Sequence, residues 1–186
     1  MDNGASSYRR FREDEDEQGL IEIIRDYKDG LTFYLNSFVG NISIAEDLCE
    51  DTFVLLGTKK PKDKGKGSFK TWLYTIGRNI AIDHIRKSRR NGSVSLESIS
   101  ELSDDEIAFE NEYIREERKI ALHRALGQLK AEYRQVLWLF YFEEMPAKEI
   151  ALIMKKSVHS VETLTYRARQ ALRQQLEKEG FSYEEL

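Results

Sequence analysis

Between Leu20 and Phe38 the apolar residues Leu20, Ile23, Ile24, Tyr27, Leu31, Tyr34, Leu35 and Phe38 follow one another at short steps, mostly of three and four. A helix gathers such positions on one face, and a strand scatters them over two. The same spacing returns downstream. No stretch alternates apolar and polar residues over a strand's length, and no glycine-rich phosphate loop is present. The pattern predicts an all-α chain. Gly30 and residues 40–43 read as breaks, with a third helix over 44–56. Ser68 is placed to cap a long helix reaching Arg89, with Phe69, Trp72, Leu73, Ile76, Ile80 and Ile85 in one stripe. Further helices are expected near 115–129, 132–143, 146–154 and 158–178.

Residues 91–112 are rich in serine and acidic residues and carry little periodicity, which marks a linker. The expected organisation is a disordered head (1–17), a first helical domain (18–90), an acidic flexible linker (91–117), a second helical domain (118–178) and a tail (179–186). Hydrophobic residues make up 40% of the 186, enough for a core despite 33% charged residues. A single cysteine excludes an internal disulfide and fits a reducing compartment. No run of about 18 apolar residues offers a membrane span. The charged N-terminus does not read as a secretory signal. A cytoplasmic protein is expected.

The net charge of -4 hides a strong segregation. Residues 1–58 carry 5 basic and 13 acidic side chains, and residues 59–90 carry 11 and 2. Residues 91–117 carry 1 and 9, and residues 118–186 carry 12 and 9. A basic block between acidic ones is the footprint of a polyanion site, or simply a solvated face. Here the block holds a lysine-rich loop (58–67) and a helix in which Lys70, Arg78, Arg86, Lys87, Arg89 and Arg90 are interleaved with Phe69, Trp72 and Tyr74. Basic and aromatic side chains together can follow a phosphate backbone and stack on unpaired bases. Core packing is the competing role for each ring. It is favoured for Phe69 and Leu73 and evenly matched for Trp72. Asn79 and Asp83 share a face, where a bond within the protein outweighs base contact.

From Pro146 to Leu176 the spacing fits a helix-turn-helix. Pro146 suits the first helical position. Ala151 suits a close helix crossing, Lys155 and Lys156 a tight turn, and Ser157 the next N-cap. Val158, Val161 and Leu164 would pack the second helix on the first. That helix would then offer His159, Ser160, Glu162 and Thr163 near its start, followed by Arg167, Arg169 and Arg173, to a major groove. A plain helical hairpin is the alternative.

Residues 45–55 set Glu46 four before Glu50 and Asp47 four before Asp51. Carboxylates so paired can hold a metal or act as acid and base. No ligand cluster lies nearby, and His84, His123 and His159 lack zinc spacing. A basic protein partner explains the face better. Cys49 reads as a small buried hydrophobe.

Three stretches together resemble a known family, the extracytoplasmic-function group of the bacterial sigma-70 family. Residues 45–53 (AEDLCEDTF) resemble its polymerase-binding helix. Residues 69–90 (FKTWLYTIGRNIAIDHIRKSRR) resemble its −10-reading, strand-opening helix. The helix-turn-helix ending YRARQAL (166–172) resembles its −35 reader. The resemblance implies a sigma-2-like and a sigma-4-like domain and a promoter-specificity subunit, with no catalytic residue, metal or cofactor. It implies that Asp47, Leu48, Glu50, Asp51 and Phe53 meet the clamp helices of the largest core RNA polymerase subunit. It implies −10 contacts by Lys60, Lys62, Lys64, Lys66, Ser68, Lys70, Trp72, Arg78, Asn79, Arg86, Lys87 and Arg90. It implies −35 contacts by Lys156, Ser157, His159, Ser160, Glu162, Thr163, Tyr166, Arg167 and Arg169. The linker would run toward the RNA exit path, and the second domain would also meet the flap of the second-largest subunit. Many members of the family are held inactive by an anti-sigma factor, often at the membrane. The chain departs from the family at Lys155, where a turn glycine is usual, and at Glu162 and Leu164, where basic residues are common.

Two other readings compete. A stand-alone helix-turn-helix regulator would bind duplex DNA without polymerase, usually as a dimer. A metal enzyme built on Glu46, Asp47, Glu50 and Asp51 would bind divalent ions tightly.

Overall fold

The computed structural model describes residues 3–63, 65–90, 122–178 and 180. The expected linker, Lys64 and nearly all of the expected tail lie outside the described residues. The described residues contain helices and no strand. The helices are α1 (Asn3–Glu13), α2 (Glu17–Val39), α3 (Ile42–Lys59), α4 (Phe69–Arg90), α5 (Ala131–Leu137), α6 (Ala147–Met154) and α7 (Val158–Lys178). A helical stretch at 122–127 precedes α5, and a π-helical turn, Trp138–Phe142, follows it.

The first unit is α1 to α4 around Ile23, Leu31, Tyr34, Leu35, Leu56, Phe69, Leu73 and Tyr74. The expected disordered head is instead α1. Its charges mislead. Tyr8 and Phe11, three apart, are buried, each side chain worth about 1.5–3 kcal/mol. Arg10 pairs with Asp16 at 3.3 Å and with Glu22, and Ser7 Oγ donates to Glu22 at 2.5 Å. Asp16 then caps α2 by accepting from the Gln18 N–H at 3.1 Å.

Gly30 breaks nothing. It lies within α2, at a point where a side chain would run into the Glu143 carboxylate and the Tyr74 hydroxyl. Helices α3 and α4 match expectation, with Ser68 accepting from the Thr71 N–H at 3.2 Å. Cys49 is buried, as its apolar position predicts, and burial pushes its thiol up.

The second unit packs α7 against α5 and α6. Arg134 pairs with no carboxylate among the described residues. Its guanidinium donates to the carbonyls of Gly127 (3.2 Å) and Leu129 (2.6 Å), and to Ser37 of α2 at 3.1 Å. No described helix is long and apolar enough to cross a membrane.

Burial also fixes the phenols. Desolvation pushes Tyr8 up to about 12 and raises Tyr34 and Tyr74 well above the ordinary range. Folding thus favours the neutral phenol, and this stability is complete below about pH 10, the unfolded value. It is lost as pH rises toward 12. A spectrophotometric titration should therefore leave these three of the nine tyrosines un-ionised at pH 10.5. Nine phenols titrating together near 10 would contradict the packing.

Candidate polymerase and nucleic-acid interfaces

Helix α3 turns Glu46, Asp47, Glu50 and Asp51 to solvent. Leu48 and Phe53 point the other way and are 3% and 7% exposed, so they support this face from the core. In their place Val54 stands 60% exposed, one turn on from Glu50 and beside Asp51. The acidic strip is therefore a carboxylate patch with an apolar end. No group of three metal-ligating side chains occurs among the described residues.

The lysine loop starts at Lys60, which ends α3 in the left-handed region with φ 42°. Its ammonium lies 4.8 Å over the Phe11 ring. Lys62 and Lys66 are exposed. Asp63 accepts from the Gly65 N–H at 2.9 Å and tightens the loop. Trp72 is half-buried, 5.0 Å from Tyr8 and 5.6 Å from Phe69 between ring centroids, so one face of the ring is spent on packing. Arg78 turns inward, with its Nε buried. Arg86, Lys87 and Arg90 are exposed at the far end of α4, with Asp83 and Arg89 beside them.

Pro146 stands just before α6 as its N-cap, one position earlier than expected. The turn after α6 is built on Lys155, left-handed at φ 54° and ψ 47°. Ser157 caps α7 by accepting from the Ser160 N–H at 3.1 Å. Val161 is fully buried, but Val158 is exposed, against expectation. His159, Ser160, Glu162, Tyr166 and Arg167 face solvent, Tyr166 at 65%, and Thr163 is half-buried. Lys156 pairs with Glu132 at 3.0 Å. Arg169 lies over the rings of Phe140 and Tyr141 at 5.0 and 5.2 Å and braces α7 against the π-helical turn.

A non-glycine residue in the left-handed region costs about 1 kcal/mol. Lys155→Ala and Lys155→Gly both lose the bond to Asn79, so their comparison isolates the backbone: the glycine variant should be the more stable in urea unfolding, by up to about 1 kcal/mol less the extra chain entropy of glycine. An alanine variant that is the more stable would mean that the turn is not strained.

Sequence profiles agree with this division. Sigma-70 region 2 matches residues 23–91, and Sigma-70, region 4 matches residues 119–172. The ECF RNA polymerase sigma factor SigM of Bacillus subtilis is 30% identical over 155 residues, covering 83% of this chain and 93% of SigM. The chain belongs to the ECF sigma factors. SigW of the same organism is 29% identical over 169 residues, covering 87% of this chain and 90% of SigW. Among solved structures, the sigma factor RpoE from Bartonella quintana, in complex with the anti-sigma factor NepR, aligns with a TM-score of 0.67. It is 22% identical, over 84% of this chain and 95% of RpoE. CnrH, in complex with the cytosolic domain of CnrY, aligns at 0.62 and 20% identity, over 95% and 96% of the two chains. These likenesses show the fold.

In this sigma factor the region 2 and region 4 units touch. Glu143, directly after the π-helical turn, has a side chain 8% exposed and pairs with Lys70 at 2.5 Å. It also accepts from Trp138 Nε1 at 3.1 Å. Glu149 of α6 accepts from Ser68 Oγ at 2.6 Å and from the Thr71 hydroxyl. Lys155 Nζ donates to Asn79 Oδ1 at 3.2 Å, so Asn79 does bond within the protein. Three candidate −10 residues, Ser68, Lys70 and Asn79, are thus held by region 4. Sequence reasoning missed Glu143 and Glu149, whose region 2 partners lie more than seventy residues away. It also missed the exposed Tyr141 and Phe142 of the π-helical turn. The unbroken apolar run WLFYF was the available signal, since a helix with one buried face turns part of any five consecutive side chains outward.

Proposed function

We propose that this sigma factor docks on core RNA polymerase through α3 and directs initiation at promoters read by its two units. Asp47, Glu50 and Asp51, with Val54 beside them, form the surface for the clamp helices of the largest subunit. The loop after α3, with Lys60, Lys62, Lys64 and Lys66, and α4, with Trp72, Arg86, Lys87 and Arg90, take the −10 element. Ser68, Lys70 and Asn79 join them once region 4 moves away. The start of α7 takes the −35 element through Ser157, His159, Ser160, Glu162, Thr163, Tyr166 and Arg167. Apolar surface of region 4 meets the flap of the second-largest subunit. Capture of extruded bases offsets an unstacking cost of a few kcal/mol, so melting needs binding energy and no chemical step. The protein is an initiation factor and not an enzyme, and it acts in the cytoplasm. An anti-sigma factor, of the kind seen with RpoE, holds it inactive.

The observation that carries this reading is the order of surfaces along one chain: an exposed carboxylate strip, a basic loop and helix, and a helix-turn-helix. Run-off transcription on genomic fragments with purified core polymerase tests it. Discrete transcripts that require the protein are expected. Their absence, together with no binding to core polymerase, would overturn it.

A further inference from the structure

We propose that Tyr8 of the N-terminal helix is a positioning residue for the lysine loop, and that α1 thereby sets how the loop receives an unpaired base. The inference rests on the −10 role given to that loop above.

The Tyr8 hydroxyl donates to the Pro61 carbonyl at 2.6 Å, across 53 residues of chain. Pro61 is the second residue of the loop. Its ring fixes its own φ and removes an N–H, so the carbonyl is the backbone handle it retains. Next to it, Lys60 is held in the left-handed region with its ammonium over Phe11, also from α1, and with Glu15 at 4.0 Å. Two consecutive loop residues are thus fixed from outside by the same helix. The far end of the loop is fixed from the same side. The Tyr8 ring packs on Phe69 and Trp72, the first and fourth residues of α4, at 5.6 and 5.0 Å. Helix α1 sits too close for slack: a Cβ at Gly4 would meet the Phe69 ring and the Tyr27 hydroxyl. Between these clamped ends Lys62 and Lys66 remain exposed. A base pocket must hold its atoms to a fraction of an ångström. Tyr8 is only 4% exposed and presents no surface to DNA, so it acts through the loop backbone that it holds.

The test is Tyr8→Phe in the full chain. It deletes one hydroxyl and keeps the ring in the aromatic cluster. The ¹⁵N–¹H resonance of the Lys62 amide, which shares a peptide unit with the Pro61 carbonyl, should shift, while resonances of α6 and α7 stay in place. With core polymerase, affinity for the polymerase and preference at the −35 element should match the parent. The rate of open-complex formation should fall about five-fold, the worth of one neutral hydrogen bond, and base preference at the −10 element should relax. Parental rates and preference, or a Lys62 resonance that does not move, would overturn the proposal. So would loss of polymerase binding or of thermal stability in parallel with the rate, because the hydroxyl would then serve the fold as a whole. If the parent protein itself fails to initiate, the sigma reading falls, and the Lys62 resonance still decides whether Tyr8 holds the loop.

Discussion

Asp47→Arg is expected to lower polymerase affinity by at least about thirty-fold and to bring run-off transcription close to background. The side chain is exposed on α3 and makes no hydrogen bond or ion pair among the described residues. The fold therefore does not need it, and a surface change of this kind alters stability by no more than about 0.5 kcal/mol. It also stands one turn before Glu50 and Asp51. An arginine there replaces like-charge repulsion with attraction worth about 0.2–0.5 kcal/mol. The variant should melt at or slightly above the parental temperature. At an interface the sign reverses. Truncating one partner of a buried charge pair costs about 2–5 kcal/mol, and each 1.4 kcal/mol is tenfold in affinity. A reversed charge belongs at the upper end. A variant that is stable and silent supports docking through α3. One that is stable and transcribes at the parental rate removes α3 from the polymerase interface.

Glu143→Lys is expected to part the two units. The carboxylate is nearly enclosed and meets Lys70 of α4 and the indole N–H of Trp138. Tyr74 lies beside it, and its phenol is raised by burial and by that carboxylate. An ammonium in this place faces another ammonium, and breaking a buried pair costs about 3–5 kcal/mol. The remaining ties are Glu149 on Ser68 and Thr71, Lys155 on Asn79, Arg134 on the Ser37 carbonyl and the packing of Phe33 on Trp138. Small-angle scattering should show a larger radius of gyration, with α1–α4 and α5–α7 each still folded by circular dichroism. The double variant Lys70→Glu with Glu143→Lys restores opposite charges and should recover part of the compaction. If the single variant scatters like the parent, Glu143 is not the principal tie.

Much of the architecture was legible because it is local. Helix α4 announces itself by the Ser68 cap and an apolar stripe, and α7 by Ser157 and Val161. The charge segregation located the basic surface before any coordinate did. What escaped was set by contacts between distant segments. In α1, two aromatic residues among arginines and acids carry too little hydrophobicity to predict order, and only the cluster of Tyr27, Phe69 and Trp72 makes their burial worthwhile. Gly30 looked like a punctuation mark, yet its role is to make room for Glu143, a residue of the other unit. The family resemblance assigned Leu48 and Phe53 to a partner. Helical phase sends them inward and brings Val54 out. Lys155 was legible as a departure from a pattern, and its left-handed backbone shows what the departure costs.

The contact between the two units joins parts of one molecule, and this decides what can undo it. Two separate proteins joined by the same ion pair, hydrogen bonds and packing of Phe33 on Trp138 would drift apart on sufficient dilution. Here the second half is always present at the concentration set by the tether, of order millimolar for a short connection. Dilution leaves the closed form closed, and making more copies of the chain does not shut it further. A ligand that prefers the open form opens it, and Ser68, Lys70 and Asn79 offer hydroxyl, ammonium and amide groups of the kind that phosphates and bases engage. The readiness of the molecule is therefore tuned by the strength of its rivals, and it is indifferent to its own abundance.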